Sequence, residues 1–101
     1  MNKNKLKKIK RKIRSLRAGA ANIQEHELVS IAKKLERRRF DTGKHPTYIS
    51  DPFPDLRPIS IPSHRKFLAP TAQNILDDLE NDVRRWQDEL NKVPNPPNAN
   101  E

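Results

Sequence analysis

The sequence predicts a small α+β domain in which helices flank a short antiparallel sheet. Apolar residues recur at intervals of three and four near both ends of the chain, as is typical of helices. The middle holds short strand-like runs separated by Gly and Pro turns, and 101 residues suffice for one domain. We divide the chain into a basic N-terminal helix or arm (1–19), a folded domain (20–92) and a disordered tail (93–101).

The positive charge of the chain is concentrated at its N-terminus. There are 21 Lys and Arg against 13 Asp and Glu, a net charge of +8. Residues 1–17 hold nine of these cations and no acid, so the other 84 residues carry twelve cations and thirteen acids. A polyanionic partner is favoured, because each neutralised phosphate releases condensed counterions.

Composition also excludes several classes of site. The chain has no cysteine, hence no disulfide framework and no thiolate nucleophile or metal ligand. No uninterrupted apolar run follows the basic start, which argues against a secretory signal or a membrane-spanning helix. We therefore expect a soluble, cytoplasmic protein without a membrane partner.

The first helix is predicted between Lys3 and Arg17, where Leu6, Ile9, Ile13 and Leu16 form one narrow apolar stripe. Gly19 is its predicted stop. Three interpretations compete: a solvated tail that adds RNA affinity, a membrane-surface helix, and docking on the last helix of the same or a second copy. The stripe lacks Trp and Phe, which disfavours the membrane, and its regularity favours docking.

A second helix follows a predicted capping box over 22–25, in which the Asn22 side chain caps and Glu25 reaches back. One face of this helix is apolar and is expected to pack. The other is charged and includes His26, which we interpret as a solvated surface histidine. The packing positions are Leu28, Ile31, Ala32 and Leu35.

The middle of the chain predicts an antiparallel meander. Residues 37–42 suit either the end of the second helix or a first strand, and Gly43-Lys44 suits a tight hairpin turn. Strands are predicted at 45–50 and 57–61, separated by a Pro-rich loop. Alternation groups Ile49 with Thr47 and His45, and Ile59 with Ile61, and we expect the isoleucines to face the helices.

The last helix is predicted to begin at Pro70-Thr71 and to end before Pro94. It exceeds what a three-stranded sheet needs, so Trp86 requires its own cover. We predict that this overhang pairs with the basic N-terminal stripe, while the simpler alternative is that Trp86 caps the core of its own domain. The acids expected to take part are Asp77, Asp78, Glu80, Asp82, Asp88 and Glu89.

Three motifs between about residues 22 and 83 resemble those of the small HicA-type toxins, which are mRNA interferases of toxin–antitoxin pairs. They are Gly43-Lys44-His45, Ile61-Pro62-Ser63-His64 and the helix start Pro70-Thr71. The resemblance implies a double-stranded-RNA-binding-like αβββα fold, here with an extra basic N-terminal helix and an extended C-terminal helix. It also favours a strand at 37–42. Family members often have Gly where this chain has Glu36.

The resemblance further implies that His45 is the catalytic residue, that mRNA is the substrate and that a HicB-like antitoxin is the partner. Histidine suits metal-free RNA cleavage, because its ordinary pKa lies near cellular pH and it can act as general base or general acid. Lys44 would steady the scissile phosphate, whereas Pro46 departs from the family pattern and restricts His45 to extended geometry. His64 is either a second catalytic group or a structural loop residue.

Other side chains are candidates for RNA contact. The cations are expected on the RNA backbone, Thr71 near a phosphate at the helix start, and Tyr48 either stacked on a base or packed in the core. These candidates are Lys44, Arg38, Arg39, Arg65, Lys66, Tyr48 and Thr71. A metal site formed by two histidines with Asp41 or Asp51 is disfavoured, because no third ligand stands at a recognisable spacing, so we expect no metal and no cofactor.

Two functions remain open on the sequence. The first is a toxin that cleaves mRNA by histidine acid–base chemistry and is held in check by its antitoxin. The second is a non-catalytic RNA-binding module of the same fold. We also expect that a homodimer could form through the N-terminal and C-terminal helices.

Overall fold

In a computed structural model, the described part of the chain forms two helices, three strands and a long helix, in that order. The structure describes residues 1–19, 22–41, 46–62 and 69–92. The strands form one antiparallel sheet in the order β1-β2-β3, as the predicted meander requires. The elements are α1 (Lys3–Ala18), α2 (Glu25–Lys34), β1 (Arg37–Asp41), β2 (Pro46–Ser50), β3 (Ile59–Ser60) and α3 (Ala69–Lys92). The predicted α+β class is confirmed, and the elements from α2 onward are compatible with an αβββα layout.

Helix α1 begins where the Asn2 side chain accepts a hydrogen bond from the Lys5 backbone N–H at 2.8 Å, and it is capped at Gly19 as predicted. Its whole apolar stripe is buried in one core with residues of α2, the sheet and α3. Arg17 lies beside Gln73 near the start of α3, and Leu6 shares a groove with Leu90 near its end, so the two helices are antiparallel. Docking of the basic helix on the last helix is therefore confirmed within one chain.

Helix α2 begins two residues later than expected. The capping residue is Gln24, whose backbone N–H donates to the Glu27 side chain at 3.0 Å, so the predicted box over Asn22 and Glu25 is wrong. Asn22 instead donates its N–H to the Gly19 carbonyl at 2.9 Å, in the turn that joins α1 to α2. The packing face was predicted correctly, because Leu28, Ile31, Ala32 and Leu35 are all buried, and His26 is exposed as expected.

The exit from α2 carries the only positive φ among the described residues other than glycine. Glu36 has φ 65°, and its N–H donates to the Lys33 carbonyl at 2.9 Å. Glycine is the residue that ordinarily occupies such a left-handed position at a helix exit, because it has no Cβ. A side chain with a Cβ is strained there, since the left-handed region costs about 1–2 kcal/mol for most residues.

Exchanging Glu36 for glycine is accordingly expected to raise the free energy of unfolding by about 1 kcal/mol, after allowance for the greater freedom of glycine in the unfolded chain. Thermal melting should show this as an increase in Tm of about 4–8 °C. Glu36→Ala is the matched control, because it removes the carboxylate and keeps the Cβ. Equal melting temperatures for the two variants would contradict the strain argument.

The sheet turns one face to the helices and leaves the other open. Arg37, Tyr48 and Ile59 share the helix-facing side, as their pairing and burial show. The expectation that Ile49 faces the helices is wrong: it pairs with Arg38 on the open face and is half-buried. The strand holds apolar side chains on both faces, and the larger ring of Tyr48 takes the core position.

Strand β3 is shorter than the predicted 57–61. Pro58 and Pro62 flank it, and a proline cannot donate to a strand ladder. The grouping of Ile59 with Ile61 is confirmed, since both side chains are buried. Just beyond β3, the Ile61 N–H donates to the carbonyl of Pro46 at 3.1 Å and so ties the end of β3 to the start of β2.

Helix α3 covers the sheet and then continues past it, as predicted. Trp86 donates its indole N–H to the Leu35 carbonyl at 3.3 Å and meets the Phe53 ring edge-on, with centroids 4.8 Å apart. Trp86 therefore caps the core of its own domain, which was the simpler of the two predictions for this ring. No helix in the described ranges combines the length and apolarity needed to cross a bilayer.

Candidate functional site

The candidate site is the end of the sheet at which β1 ends, β2 begins and β3 ends. The last pair of the β1–β2 ladder is Asp41 opposite Pro46, and the intervening residues 42–45 lie outside the described residues. The predicted catalytic residue is among them. The sequence-predicted residues outside the described ranges are Lys44, His45, His64, Arg65 and Lys66.

The described neighbours of both histidines meet at this end. His45 is joined by one peptide bond to Pro46, and His64 follows Pro62 by two residues. The hydrogen bond of 3.1 Å from Ile61 to Pro46 places the start of β2 beside the end of β3. The described residues nearest in sequence to the two predicted histidines are thus adjacent in the sheet, which the linear sequence alone does not show.

Arg38 and Arg39 are exposed, and each is held by a nearby carboxylate. Arg38 donates to Asp51 at 3.0 Å on the open face, and Arg39 donates to Asp41 at 2.9 Å at the hairpin end. These hydrogen bonds raise the pKa of both guanidinium groups and lower the pKa of Asp51. A phosphate would have to compete with these exposed pairs, which are individually weak.

Tyr48 does not belong to the candidate RNA surface. Its side chain is only 2 % exposed and packs beneath the helices in the middle strand, so it cannot stack on a base. Of the two sequence interpretations for this residue, packing is the correct one. A strand residue next to an apolar neighbour could not be assigned to a face until its partners were known.

Phe40 is the exposed aromatic ring that sequence reasoning missed. It is 51 % exposed, and it lies on the open face opposite Thr47, one residue before the end of β1. A ring exposed on a sheet face has the chemistry to stack on a nucleotide base, and stacking is tolerant of base identity. The signal in the sequence was its position between Arg39 and Asp41, where a core aromatic is not expected.

Thr71 lies in the first turn of α3 and is half-buried. The first turn contains no acidic residue, and the positive end of the helix dipole favours an anion there. Thr71 therefore lies at the end of the helix that favours a phosphate, and its contact with RNA stays a prediction.

A buried ion pair fastens the sheet to α3, and the sequence analysis did not foresee it. Arg37 donates to Asp82 at 2.7 Å and to the carbonyl of Tyr48 at 2.8 Å, while Asp82 Oδ1 accepts no hydrogen bond from the described residues. Burial raises the pKa of Asp82, and the hydrogen bond and charge of Arg37 oppose this rise without cancelling it. Asp82 was expected to face α1, and that expectation is wrong.

Two of the other acids of α3 that were expected to pair with α1 do so, and both pair with the same residue. Arg17 forms ion pairs with Asp77 at 2.5 Å and with Glu80, and these hydrogen bonds raise the pKa of its guanidinium. Asp78 instead pairs with Arg57, and Glu89 pairs with Arg85 and Lys92, so the expected pairing with α1 is wrong for these two acids. In the described part of the chain, His, Asp and Glu form no group of three or more that could hold a metal ion.

Comparison with known proteins identifies no relative. No protein-family model, no curated protein and no solved structure matches this chain.

Proposed function

We propose that this chain is an RNA endonuclease of the HicA type, the toxin of a toxin–antitoxin pair, with a double-stranded-RNA-binding-like fold. One observation carries the proposal: Pro46, which follows His45, accepts a backbone hydrogen bond from Ile61, which lies three residues before His64. Support also comes from the order of helix, three antiparallel strands and helix around the Gly43-Lys44-His45 motif.

In the proposed reaction His45 acts as general base and removes the proton of a ribose 2′-hydroxyl. The oxygen attacks the adjacent phosphorus, the bond to the 5′-oxygen breaks, and a general acid protonates the leaving oxygen. The products are a 2′,3′-cyclic phosphate and a 5′-hydroxyl end. The proposed reaction needs no metal, because the 2′-hydroxyl is the nucleophile and side chains transfer the protons. His64 is the candidate acid, and a structural role for it in the loop before α3 is the alternative. Lys44 would stabilise the charge that develops on the phosphate.

Substrate contacts in this proposal include residues at the same end of the sheet, the open face and the start of α3. Arg39 at the end of β1 and Thr71 at the start of α3 would bind phosphates, and Phe40 would take the stacking role first considered for Tyr48. Arg38 lies further along the open face and would contact the backbone there. Lys44, Arg65 and Lys66 complete the cationic contacts.

The products of the reaction test this proposal. We expect the purified chain to cleave single-stranded RNA in excess EDTA and to leave 2′,3′-cyclic phosphate and 5′-hydroxyl ends, which end-labelling and mass spectrometry distinguish. A 5′-phosphate product, or activity abolished by EDTA and restored by a divalent metal, would contradict the mechanism. RNA binding without cleavage would favour the alternative function, a non-catalytic RNA-binding module, which the exposed cations of α1 also support.

The proposed protein partner is an antitoxin of the HicB type that covers the hairpin end of the sheet. Its neutralising action would consist of blocking access of RNA to His45. Homodimer formation through α1 and α3 remains a separate proposal, and it cannot use the apolar stripe of α1, because the stripe is buried inside one chain.

A further inference from the structure

The cationic side of α1 is a surface that the proposed reaction does not use. Nine Lys and Arg lie on this helix, and ion pairs with described acids are formed by Lys12 and Arg17. The others have no carboxylate within 4.0 Å in the described ranges, and all are exposed. These seven cations are Lys3, Lys5, Lys7, Lys8, Lys10, Arg11 and Arg14.

Part of this side forms one wall of a groove between α1 and α3. One section of the groove, about 340 Å³, is lined by Lys3, Lys7 and Lys10, and the next, about 490 Å³, adds Arg14. The two sections share Lys10 and Gln87, so the groove is continuous along the antiparallel helices. We call it the α1–α3 groove.

The charge in the α1–α3 groove is almost entirely positive. Arg84 of α3 faces it and donates a hydrogen bond to Asn81 at 3.1 Å, and the one lining carboxylate, Glu80, is already paired with Arg17. Lys3, Lys7, Lys10 and Arg14 follow one another at intervals of three and four residues, hence about 4.5–6 Å apart along the helix axis. These side chains form a row of cations. Such a row suits binding of a polymer whose negative charges are regularly spaced.

We propose that the α1–α3 groove binds the phosphate backbone of single-stranded RNA, at a place distinct from the hairpin end of the sheet. A cationic groove that follows a strand is a common means of sequence-tolerant binding. The amides of Gln87 and Asn91 on the opposite wall supply neutral hydrogen-bonding groups beside the row. The proposal rests on the proposed function for the choice of RNA as the polyanion.

Two other occupants fit the groove less well. A membrane surface is bound by helices that insert apolar side chains, and all four apolar residues of the α1 stripe are consumed by the core. A second copy of this chain would need a free acidic surface, yet most described acids are paired with Arg or Lys of their own chain.

The test compares two triple variants that remove the same charge. The first is Lys3→Gln/Lys7→Gln/Lys10→Gln in the groove. The control is Arg57→Gln/Arg85→Gln/Lys92→Gln, in which each cation lost is one that a carboxylate already holds. Both are made in a His45→Ala chain to prevent cleavage, and glutamine keeps the helix propensity close to that of lysine. Circular dichroism and melting verify that both fold.

The groove variant is expected to bind a short single-stranded RNA about 10- to 100-fold more weakly at 0.1 M salt. The slope of log affinity against log salt should become shallower by about 2, since about 0.7 is lost for each phosphate contact. The control should keep the slope of the parent chain. Equal losses in the two triple variants would overturn the proposal, as would an unchanged slope in the groove variant.

Vesicles containing phosphatidylserine are the last arm of the test. Vesicle binding lost in the groove variant while RNA binding is kept would assign the surface to lipid and overturn the proposal. The outcome can be distinguished from that of the nuclease assay. If the wild-type chain never cleaves RNA but its RNA binding depends on the groove, the nuclease proposal is rejected and the groove proposal is kept. If the wild-type chain cleaves RNA but its RNA binding does not depend on the groove, the groove proposal is rejected and the nuclease proposal is kept.

Discussion

Replacement of His45 by alanine is expected to lower the rate of RNA cleavage by about 10²- to 10⁴-fold, the usual contribution of a general base or acid. The loss should appear in the chemical step, because an imidazole that moves protons contributes little to the affinity for the RNA backbone. Binding of RNA by the variant is therefore expected to match that of the wild type. The measurement is single-turnover cleavage in EDTA with protein in excess, alongside binding in the same buffer.

His26 provides the matched control for this experiment. It is exposed on α2, and His26→Ala removes the same side chain without touching the end of the sheet where β2 begins. Normal cleavage by His26→Ala and loss in His45→Ala assign the activity to the hairpin. Equal cleavage by wild type and His45→Ala, in a preparation free of contaminating nuclease, would remove the endonuclease from consideration.

A parallel His64→Ala variant decides between the two roles proposed for that residue. As the general acid, its loss should lower cleavage by a factor similar to that of His45→Ala, and the double variant should be little worse than either, because the two groups act in one step. As a structural loop residue, its loss should lower the melting temperature and leave the single-turnover rate of the folded fraction near that of the wild type.

The helices of this protein were predictable because the spacing of their apolar residues identifies the face that packs. The stripe from Leu6 to Leu16 and the apolar face of α2 keep intervals of three and four, and only one side of a helix can collect them. The end of α3 at Lys92, before Pro94, follows from backbone chemistry alone. Such local rules need no knowledge of the partner.

The faces of the sheet were not predictable in the same way. In the five residues Pro46–Ser50, Tyr48 and Ile49 are adjacent, so either face could have been the apolar one. The face that turns to the helices is determined by a long-range contact. Arg37 pairs with Asp82, 45 residues away, and this contact fixes which side of β1, and hence of β2, faces α3. Nothing local distinguishes Arg37 from Arg38 and Arg39, which are exposed.

The candidate site was predicted by resemblance and not by pattern. Neither periodicity nor composition singles out His45 from His26, since both are polar residues beside charged neighbours. The structure contributes the adjacency of Pro46 and Ile61, a long-range relation between strands that spacing along the chain cannot reveal. The exposed ring of Phe40 was missed because an aromatic residue in a strand is ordinarily assigned to the core.

Exchange of Asp82 for leucine is expected to lower the free energy of unfolding by about 3–5 kcal/mol, the usual cost of leaving one member of a buried ion pair without its partner. Arg37 would keep its bonds to the carbonyls of Tyr48 and Arg57, but its charge would lose the carboxylate at 2.7 Å. Urea denaturation followed by Trp86 fluorescence measures the change. Asp78→Leu is the control, since its partner Arg57 is exposed.

The double variant Arg37→Met/Asp82→Leu measures the net contribution of the ion pair to stability, because it replaces both charges with apolar side chains. The raised pKa of Asp82 means that burial disfavours its charge by more than Arg37 restores, so an apolar pair of similar volume should be within about 1 kcal/mol of the wild type or more stable. A double variant as unstable as Asp82→Leu would show that the ion pair contributes net stability, contrary to this argument.

The dependence of stability on pH gives an independent check on the same pair. The pKa of Asp82 in the folded chain lies above its ordinary value of 3.8, so between those two values the folded chain holds a proton that the unfolded chain has released. The free energy of unfolding contributed by this group therefore falls as pH rises through that window, and it is greatest below 3.8. The double variant has no such group and should lack this component. If wild type minus double variant instead gained stability as pH rose there, the attraction of Arg37 would outweigh the effect of burial.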